Sequence, residues 1–496
     1  MSSRTRLPDS VSILVPLLTQ DVPIWFVGGG VRDHLLGRKT YDLDFAVDGD
    51  AIALAKRIAD QLGGFYYTLD EERGTGRVVL QDLSGRRRTL DFARIRGHDI
   101  TADLRSRDFT INAMAINMLD PDEWLDPTAG ARDLKDKILR ACGPDSISND
   151  PVRALRAVRL AIDFNLAIES NTLNNIRDTQ RRLEDISPER VRDEVFQIFN
   201  VQKPGRALRL LNHLRLLFVL FPELSNLEGH AQPPPHAFST LEHSLAVVDR
   251  LGDILAVLQP EHDPEEAADL FLAQVTLRIG RFRDQLNHHL YSSLSYGRDV
   301  RQLVFFAALY HDVGKSTAQG DSGDGPSFEG HEKVGAELVE RRARELRLSN
   351  KEAVRLTQIV RYQSEPMILE RFTDISPREI YRFFRNTGEA GIEIILLSLA
   401  DFLGTYVPPA PQNAWISRVE VARTLLEAYF EFHDKYVNPS TLLKGDEIIT
   451  LIDLPEGPVI GLLLERLQEA QATGEVRTRE EAITFVRRTA EGISSG

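Results

Sequence analysis

The sequence predicts an α+β multidomain chain, a small mixed α/β head followed by domains built almost wholly of helices. Three observations predict it. The first 120 or so residues alternate short β-rich runs (WFVGG, LDFAV, RVVLQDL, RTLDFARI) with helix-like segments, whereas the pattern from Asp150 onward is helical. At 496 residues the chain is too long for one core and suggests roughly three or four domains. No repeat of solenoid period is present.

In chain order, an apolar run ends at Gly28, Gly29 and Gly30, and a helix is expected from Val31. A strand through YDLDFAV carries Asp42 and Asp44, and an amphipathic helix from Ala51 to Leu62 is closed by Gly63 and Gly64. The stretch LRSRDFTINAMAINM (Leu104 to Met118) reads as Arg107 and Asp108 followed by an amphipathic helix. Asp150-Pro151 and Ser187-Pro188 put proline in the first turn of further helices. Gln232 to His236 (QPPPH) reads as a linker, and Ala318 to Ser327 as an acidic, glycine-rich loop. The last eighty residues hold amphipathic helices and no chemical motif.

Composition narrows the class. With 42% hydrophobic and 27% charged residues this is an ordinary globular protein. No apolar run approaches the roughly 18 residues that span a bilayer, and the start MSSRTRLPDS lacks a signal-peptide core, so a cytoplasmic protein without a membrane partner is expected. The single cysteine, Cys142, excludes internal disulfides and reads as a small buried hydrophobe. A net charge of −14 argues against indiscriminate coating of nucleic acid, and DNA is not an expected partner. Local basic clusters remain: Arg86, Arg87 and Arg88; Arg94 and Arg96; Arg105 and Arg107; Arg153, Arg156 and Arg159; Arg181 and Arg182. A subset of them is expected to meet RNA.

The chemistry concentrates where two aspartates stand two apart. Residues i and i+2 of a strand share a face, so Asp42 and Asp44 lie side by side and repel unless a cation lies between them. A hard divalent ion, Mg²⁺ above all, fits that need and suggests phosphoryl or nucleotidyl transfer; two solvated acids at a strand end is the bland alternative. The glycine turn lets the backbone approach a triphosphate, Arg32 is placed to reach it, and a salt bridge to Asp33 is the alternative for that arginine. Asp91 is a candidate third carboxylate from a neighbouring strand. Farther on, Asp150, Arg153, Arg156 and Arg159 recur at helical spacing. A carboxylate accepting from an exocyclic amino group beside a guanidinium donating to a ring nitrogen admits cytosine and adenine and rejects guanine and uracil. An ordinary helix cap is the alternative reading of Asp150.

Together GGGVRD, DLDF, RDFTINAMA, DPVRALRAVR and SPERVRDEVF resemble the class II tRNA nucleotidyltransferases and bacterial poly(A) polymerases, of the polymerase-β-like superfamily. The resemblance covers about the first 230 residues. It implies that Gly28, Gly29 and Arg32 hold the triphosphate, Asp42 and Asp44 the Mg²⁺, Arg107 the nucleotide, and that Asp150 and Arg153 template the base. It also implies a flexible loop near Asp70 to Arg77 and a tRNA partner with CTP and ATP. Two positions depart from the pattern: Asn149 stands where the template motif usually opens with glutamate, and Ser106 replaces an arginine. The Gly-Arg-Arg-Phe signature of many poly(A) polymerases is missing after the first helix, which favours CCA addition over poly(A) synthesis.

A second constellation follows: His243 in LEHSLAVVD, His311 and Asp312 in YHDVGKS, His331 in FEGHEKV and Asp401 in SLADFLG. It resembles an HD phosphohydrolase domain, and the resemblance implies that His243, His311, Asp312 and Asp401 hold a divalent transition metal. Tyr362 and Gln363 stand where related domains often carry a histidine pair, which favours one metal over two. VGKS is no P-loop, because Leu309 occupies the place of the first glycine. The expected division is a head (1–145), a helical neck (146–231), an HD domain (236–410) and a helical tail (411–496). The expected activity is CCA addition to tRNA 3′ ends, with an HD phosphohydrolase activity beside it. An A-only or CC-only specialist, a poly(A) polymerase, and a phosphohydrolase with a vestigial RNA-binding half are the alternatives, and the oligomeric state is left open.

Overall fold

The computed structural model describes residues 7–18, 22–81, 87–262, 269–318, 320–321, 326–407, 410–453 and 457–494. Arg86 and, in the loop of residues 318–327, residues 319 and 322–325 lie outside the described residues, as do the side chains of Arg87 and of residues 319–327. The chain divides into two compact units, one of Met1–Arg190 with His213–Val219, the other of Val191–Asn212 with Leu220–Gly496.

The first unit is built on a seven-stranded sheet of order β3-β4-β5-β2-β1-β6-β7. Its strands are β1 (Ile24–Val27), β2 (Asp42–Val47), β3 (Phe65–Asp70), β4 (Thr75–Gln81), β5 (Arg87–Arg94), β6 (Ala115–Asn117) and β7 (Trp124–Leu125). Only β2 and β5 run parallel. Alternation along these strands separates two faces. Phe26, Phe45, Val78, Leu90 and Phe92 point to one, where they pack with Ala51, Leu54, Ala55 and Ile58 of α2 (Ala51–Leu62). That helix is capped by Asp50, which accepts from the Ala53 N–H at 2.9 Å, and closed by Gly63 at φ 66°. On the other face Trp25, Val27, Ala46 and Ala115 pack with Ile100 and Leu104 of α3 (Ile100–Arg105). Asp42, Asp44 and Asp91 share this second face.

Three expectations change here. The helix after the glycines begins at once: α1 is Gly29–Leu35. The amphipathic helix expected after Asp108 is a single 3-10 turn, Thr110–Asn112, followed by β6 pairing with β1. Met114, Ile116 and Met118 enter one core while Ala113 and Ala115 enter the other, so a period of two is satisfied on both faces and the run reads as uniformly apolar. The expected loop at Asp70–Arg77 is a tight hairpin turn, since Asp70 pairs with Thr75 and Arg77 with Tyr67.

Beyond the sheet, the Asp150-Pro151 turn leads into α4 (Arg153–Asp163), with the Asp150 carbonyl accepting from the Arg153 N–H at 3.0 Å. The Ser187-Pro188 signal opens α5 (Pro188–Asn200) where expected.

The second unit contains α6 (Thr240–Val257), α7 (Val300–Tyr310), α8 (His331–Glu345), α9 (Asn350–Tyr362), α10 (Gly391–Thr405) and α11 (Gln412–Glu431) among its helices. A capping box of Asp299 and Gln302 starts α7, whose apolar residues are all buried. Phe306 stands at its centre, with the rings of Phe196, Phe199, Phe221 and Tyr310 at 6.2, 5.5, 5.6 and 5.2 Å. Gln232–His236 is a turn inside this unit, with the His236 N–H on the Pro233 carbonyl. Of the 318–327 loop, Gly320–Asp321 and Pro326–Ser327 form a short antiparallel pair. The last helices, α12 (Gly445–Ile452), α13 (Pro458–Ala472) and α14 (Arg479–Ser494), bury Ile448, Leu463, Leu467, Ala482 and Val486 in a cluster of their own. No helix among the described residues is long and apolar enough to cross a membrane.

Candidate functional site

In the first unit, strand register brings the carboxylates together. Asp44 is the direct partner of Asp91 across the parallel β2/β5 pair and of Val27 across β1. Gly28, next after Val27, has φ +74°, and a Cβ there would lie 3.2 Å from both the Asp44 Oδ2 and the Arg107 Nη1. The glycine is therefore required for a carboxylate and a guanidinium to approach the turn. Asp103, buried at the base of α3, accepts from Arg107 Nε and Nη2 at 3.0 Å and aims it.

Burial, with Asp91 and Asp42 beside it, raises the Asp44 carboxyl to about 6, against the opposing pull of Arg107 and Arg77. A divalent cation would relieve that repulsion, so the donor set fits one. Asp91 is differently placed: both its oxygens accept from Arg77, at 2.6 Å each. That bidentate partner neutralises Asp91 within the sheet and was not legible from spacing.

Arg32 is buried, with Nε on Asp33 at 2.9 Å, Nη1 on the Asn112 Oδ1 at 2.7 Å, and its guanidinium 4.1 Å from the centre of the Phe164 ring. The salt bridge considered for it thus exists. Asn112 also donates to Asp108 at 3.2 Å, and Asp108 accepts from Arg156 at 3.1 Å, which links Arg32 to α4. Burial would raise Asp108, but the Arg156 charge and the Phe109 N–H and Asn112 hydrogen bonds hold it below the ordinary value.

The Asp150 side chain caps nothing. It accepts from Arg190 at 2.8 and 2.9 Å and stays 24% exposed, with Arg153 Nε at 3.7 Å. Arg153 donates to the Ser146 hydroxyl at 2.9 Å and to the Arg107 carbonyl at 3.2 Å, tying the base of α4 to the Arg107 loop.

One cleft of about 870 Å³ gathers Gly28, Gly29, Asp42, Asp44, Arg107, Asp150 and the Arg153, Arg156, Arg159 stripe. Nine arginines against six aspartates line it, a balance suited to a polyanion. Arg73, Arg94, Arg96 and Arg190 complete it; of these, Arg94 and Arg96 were anticipated only as cluster members.

The second unit assembles the other constellation from four helices. His243 Nε2 lies 3.2 Å from His311 Nε2, 3.4 Å from Asp312 Oδ2 and 3.1 Å from Asp401 Oδ1. Backbone carbonyls of Gly404 and Ala308 face the Nδ1 atoms of His243 and His311 at 3.3 and 2.9 Å. Each ring thereby turns its Nε2 inward, the orientation a metal-binding histidine requires. His243, His311 and Asp312 are close enough to share one ion. Burial lowers the His311 imidazole, yet Asp312 and Asp401 outweigh it and raise it to about 10, so in the ion's place the site attracts a proton.

Lys315 reaches Asp312 at 2.7 Å, and His331 Nε2 lies 3.4 Å from its other oxygen. Gly314 makes that approach of α8 feasible, since a Cβ there would meet the His331 carbonyl at 2.1 Å. Gln363 donates to the His311 carbonyl at 2.5 Å. It braces His311 from the place where the resemblance to HD domains would put a histidine pair.

Comparison with known proteins finds matches in both parts of the chain. Family profiles match residues 24–140 ("Poly A polymerase head domain"), 165–227 ("Probable RNA and SrmB- binding site of polymerase A") and 240–404 ("HD domain"). The A-adding tRNA nucleotidyltransferase of Deinococcus radiodurans is 30% identical over 472 residues, 94% of this chain and 95% of that protein. The CC-adding tRNA nucleotidyltransferase of Thermus thermophilus is 31% identical over 472 residues, 93% of this chain and 92% of that one. In structure, the Thermotoga maritima CCA-adding enzyme complexed with tRNA aligns over 98% of this chain and 97% of its own, with a TM-score of 0.57 at 20% identity, and so shares the fold. The chain belongs to the tRNA nucleotidyltransferases, in the branch that joins the transferase to an HD domain.

Proposed function

We propose that this protein builds the complete CCA triplet on tRNA 3′ ends in the cytoplasm, taking CTP and ATP. The convergence of Asp42, Asp44, Arg107, Asp150 and Arg153 on one arginine-lined cleft carries the reading. Asp42 and Asp44 would hold Mg²⁺, which when bound supplies charge neutralisation for the triphosphate and acidifies the attacking hydroxyl. The Gly28 and Gly29 turn and Arg32 would bind the phosphates, and Arg107 the nucleotide. Asp91, held by Arg77 on the adjacent strand, would be a third carboxylate beside Asp44. Arg190 orients Asp150 so that its free acceptor positions, beside Arg153, offer the acceptor and donor pair that C and A share. Arg156 and Arg159 extend the charge along the same helical stripe.

A specialist adding only CC or only A is the second reading, favoured by the activities named for the Deinococcus and Thermus relatives. Purified protein, each nucleoside triphosphate and tRNA transcripts ending before or within CCA separate the two. Incorporation of both CMP and AMP on a transcript lacking CCA is expected; failure with CMP, or arrest after CC, overturns full addition.

For the second unit we propose a phosphohydrolase site on one divalent transition-metal ion held by His243, His311, Asp312 and Asp401. Hydrolysis of 2′,3′-cyclic phosphates, tested with Ni²⁺, Mn²⁺ and Mg²⁺, checks it. We also propose the head, neck, HD and tail division given above.

A further inference from the structure

We propose that Phe65 and Tyr67, on the edge strand of the sheet, form a stacking platform for the single-stranded 3′ end of the RNA that is extended at Asp42 and Asp44. The proposal rests on the transferase reading and adds a binding surface to it. Register places both rings on the carboxylate face. Asp44 pairs with Asp91, Asp91 with Arg77, and Arg77 with Tyr67; one row over, Asp42 pairs with Thr89, Thr89 with Val79, and Val79 with Phe65. Directly paired residues point to the same side of a sheet, so each row is a continuous line of side chains from an aspartate to an aromatic ring. Tyr67 lies three strand spacings from Asp44, roughly 14 Å, which is a few nucleotides back from a reacting terminus.

Burial separates the two faces of the hairpin. Tyr66, Val78 and Leu80 pack into the core against α2. On the opposite face α3 packs against the β1 side of the sheet, and the outer strand presents Phe65 at 76% and Tyr67 at 39% exposure. Two aromatic side chains at i and i+2 on one exposed face, next to Leu69 at the bulge that precedes the turn, form a contiguous patch that needs an occupant, unlike scattered surface hydrophobics. Chemistry chooses which. Arg77 stands between the rings and the acids and shares a hydrogen bond with the Tyr67 hydroxyl, and Arg73 lies on the hairpin turn and lines the cleft. Aromatic faces beside guanidinium groups, on the sheet face that also carries the cleft's aspartates, are the surface that single-stranded RNA takes, by stacking its bases and pairing its phosphates.

The full-length protein is assayed for nucleotide incorporation on tRNA transcripts, with tRNA and nucleotide varied separately. Replacing both Phe65→Ser and Tyr67→Ser is expected to raise KM for tRNA by about tenfold or more, with kcat and KM for the nucleotide held within about twofold. Phe65→Tyr with Tyr67→Trp keeps tRNA affinity, whereas Phe65→Leu with Tyr67→Leu does not, because stacking needs a π-face. Tyr67→Phe removes only the hydroxyl that meets Arg77 and leaves KM for tRNA unchanged. An unaltered melting temperature in these exposed variants shows that the fold is intact. An unchanged KM in the double serine variant overturns the platform, as does full rescue by leucine. So does a wild-type dimer that dissociates in the serine variant at unchanged KM, which assigns the strip to a second copy of the chain. If the wild type incorporates no nucleotide on any tRNA, the transferase reading falls and the platform with it.

Discussion

Asp44 is the residue whose ionisation the sheet resists most visibly. Its carboxyl is raised from 3.8 to about 6, so between those values the folded, cation-free protein holds a proton that the unfolded chain has released. Stability therefore falls as pH rises through that window and stays reduced above it. Asp44→Asn is expected to stabilise the cation-free protein by about 1–3 kcal/mol at pH 8 and to change nothing at pH 4, read from denaturant curves. Added Mg²⁺ reverses the order, stabilising the wild type and not the variant. Gly28→Ala places a Cβ 3.2 Å from both Asp44 and Arg107 at φ +74°. The backbone strain costs about 1–3 kcal/mol, and nucleotide incorporation is expected to fall at least tenfold, a figure checked by single-turnover assay on folded protein. Cys142 is pushed up to about 12 by burial, with Asp108 adding to it. At pH 8 its thiolate is scarce, so alkylation by iodoacetamide is expected to be slow in the native protein and fast in urea, as a small hydrophobe and not a nucleophile requires.

At the scale of elements, local signals held where one face or one cap decides the matter. Ala51–Leu62, with its Asp50 cap and glycine stop, and α5 at Ser187-Pro188 are of this kind. They failed for Thr110–Asn117, where both faces are buried and periodicity carries no information. The same scale governs the HD site, which depends on how closely α8 approaches the Gly314 turn. Gly314→Ala would set a Cβ 2.1 Å from the His331 carbonyl and 2.6 Å from the Gly335 nitrogen. Pushing α8 outward is expected to cost about 1–3 kcal/mol of stability and to weaken Mn²⁺ binding, since His331 then leaves Asp312. Denaturation together with metal titration checks both; undiminished binding would show that His331 plays no part in holding Asp312.

For the whole molecule, the two constellations lie in separate compact units and are expected to fail independently. Asp42→Ala with Asp44→Ala should abolish nucleotidyl transfer and leave any cyclic phosphate hydrolysis intact, and His311→Ala should do the reverse. Loss of both activities in either variant would refute the division. By itself the sequence determined the pieces whose geometry is local: Asp42 and Asp44 on one side of a strand, the glycines before α1, the arginine stripe of α4, and His311 beside Asp312. Only the tertiary structure decided which partner each charge meets. Arg77 claims Asp91 because β4 and β2 flank β5, Arg190 claims Asp150 from forty residues away, and Gln363 braces the His311 carbonyl. The physical reason is one of range. Backbone periodicity fixes the direction of a side chain within a few residues, whereas a salt bridge or a ligand shell is chosen by strand order and helix packing among segments the sequence keeps far apart.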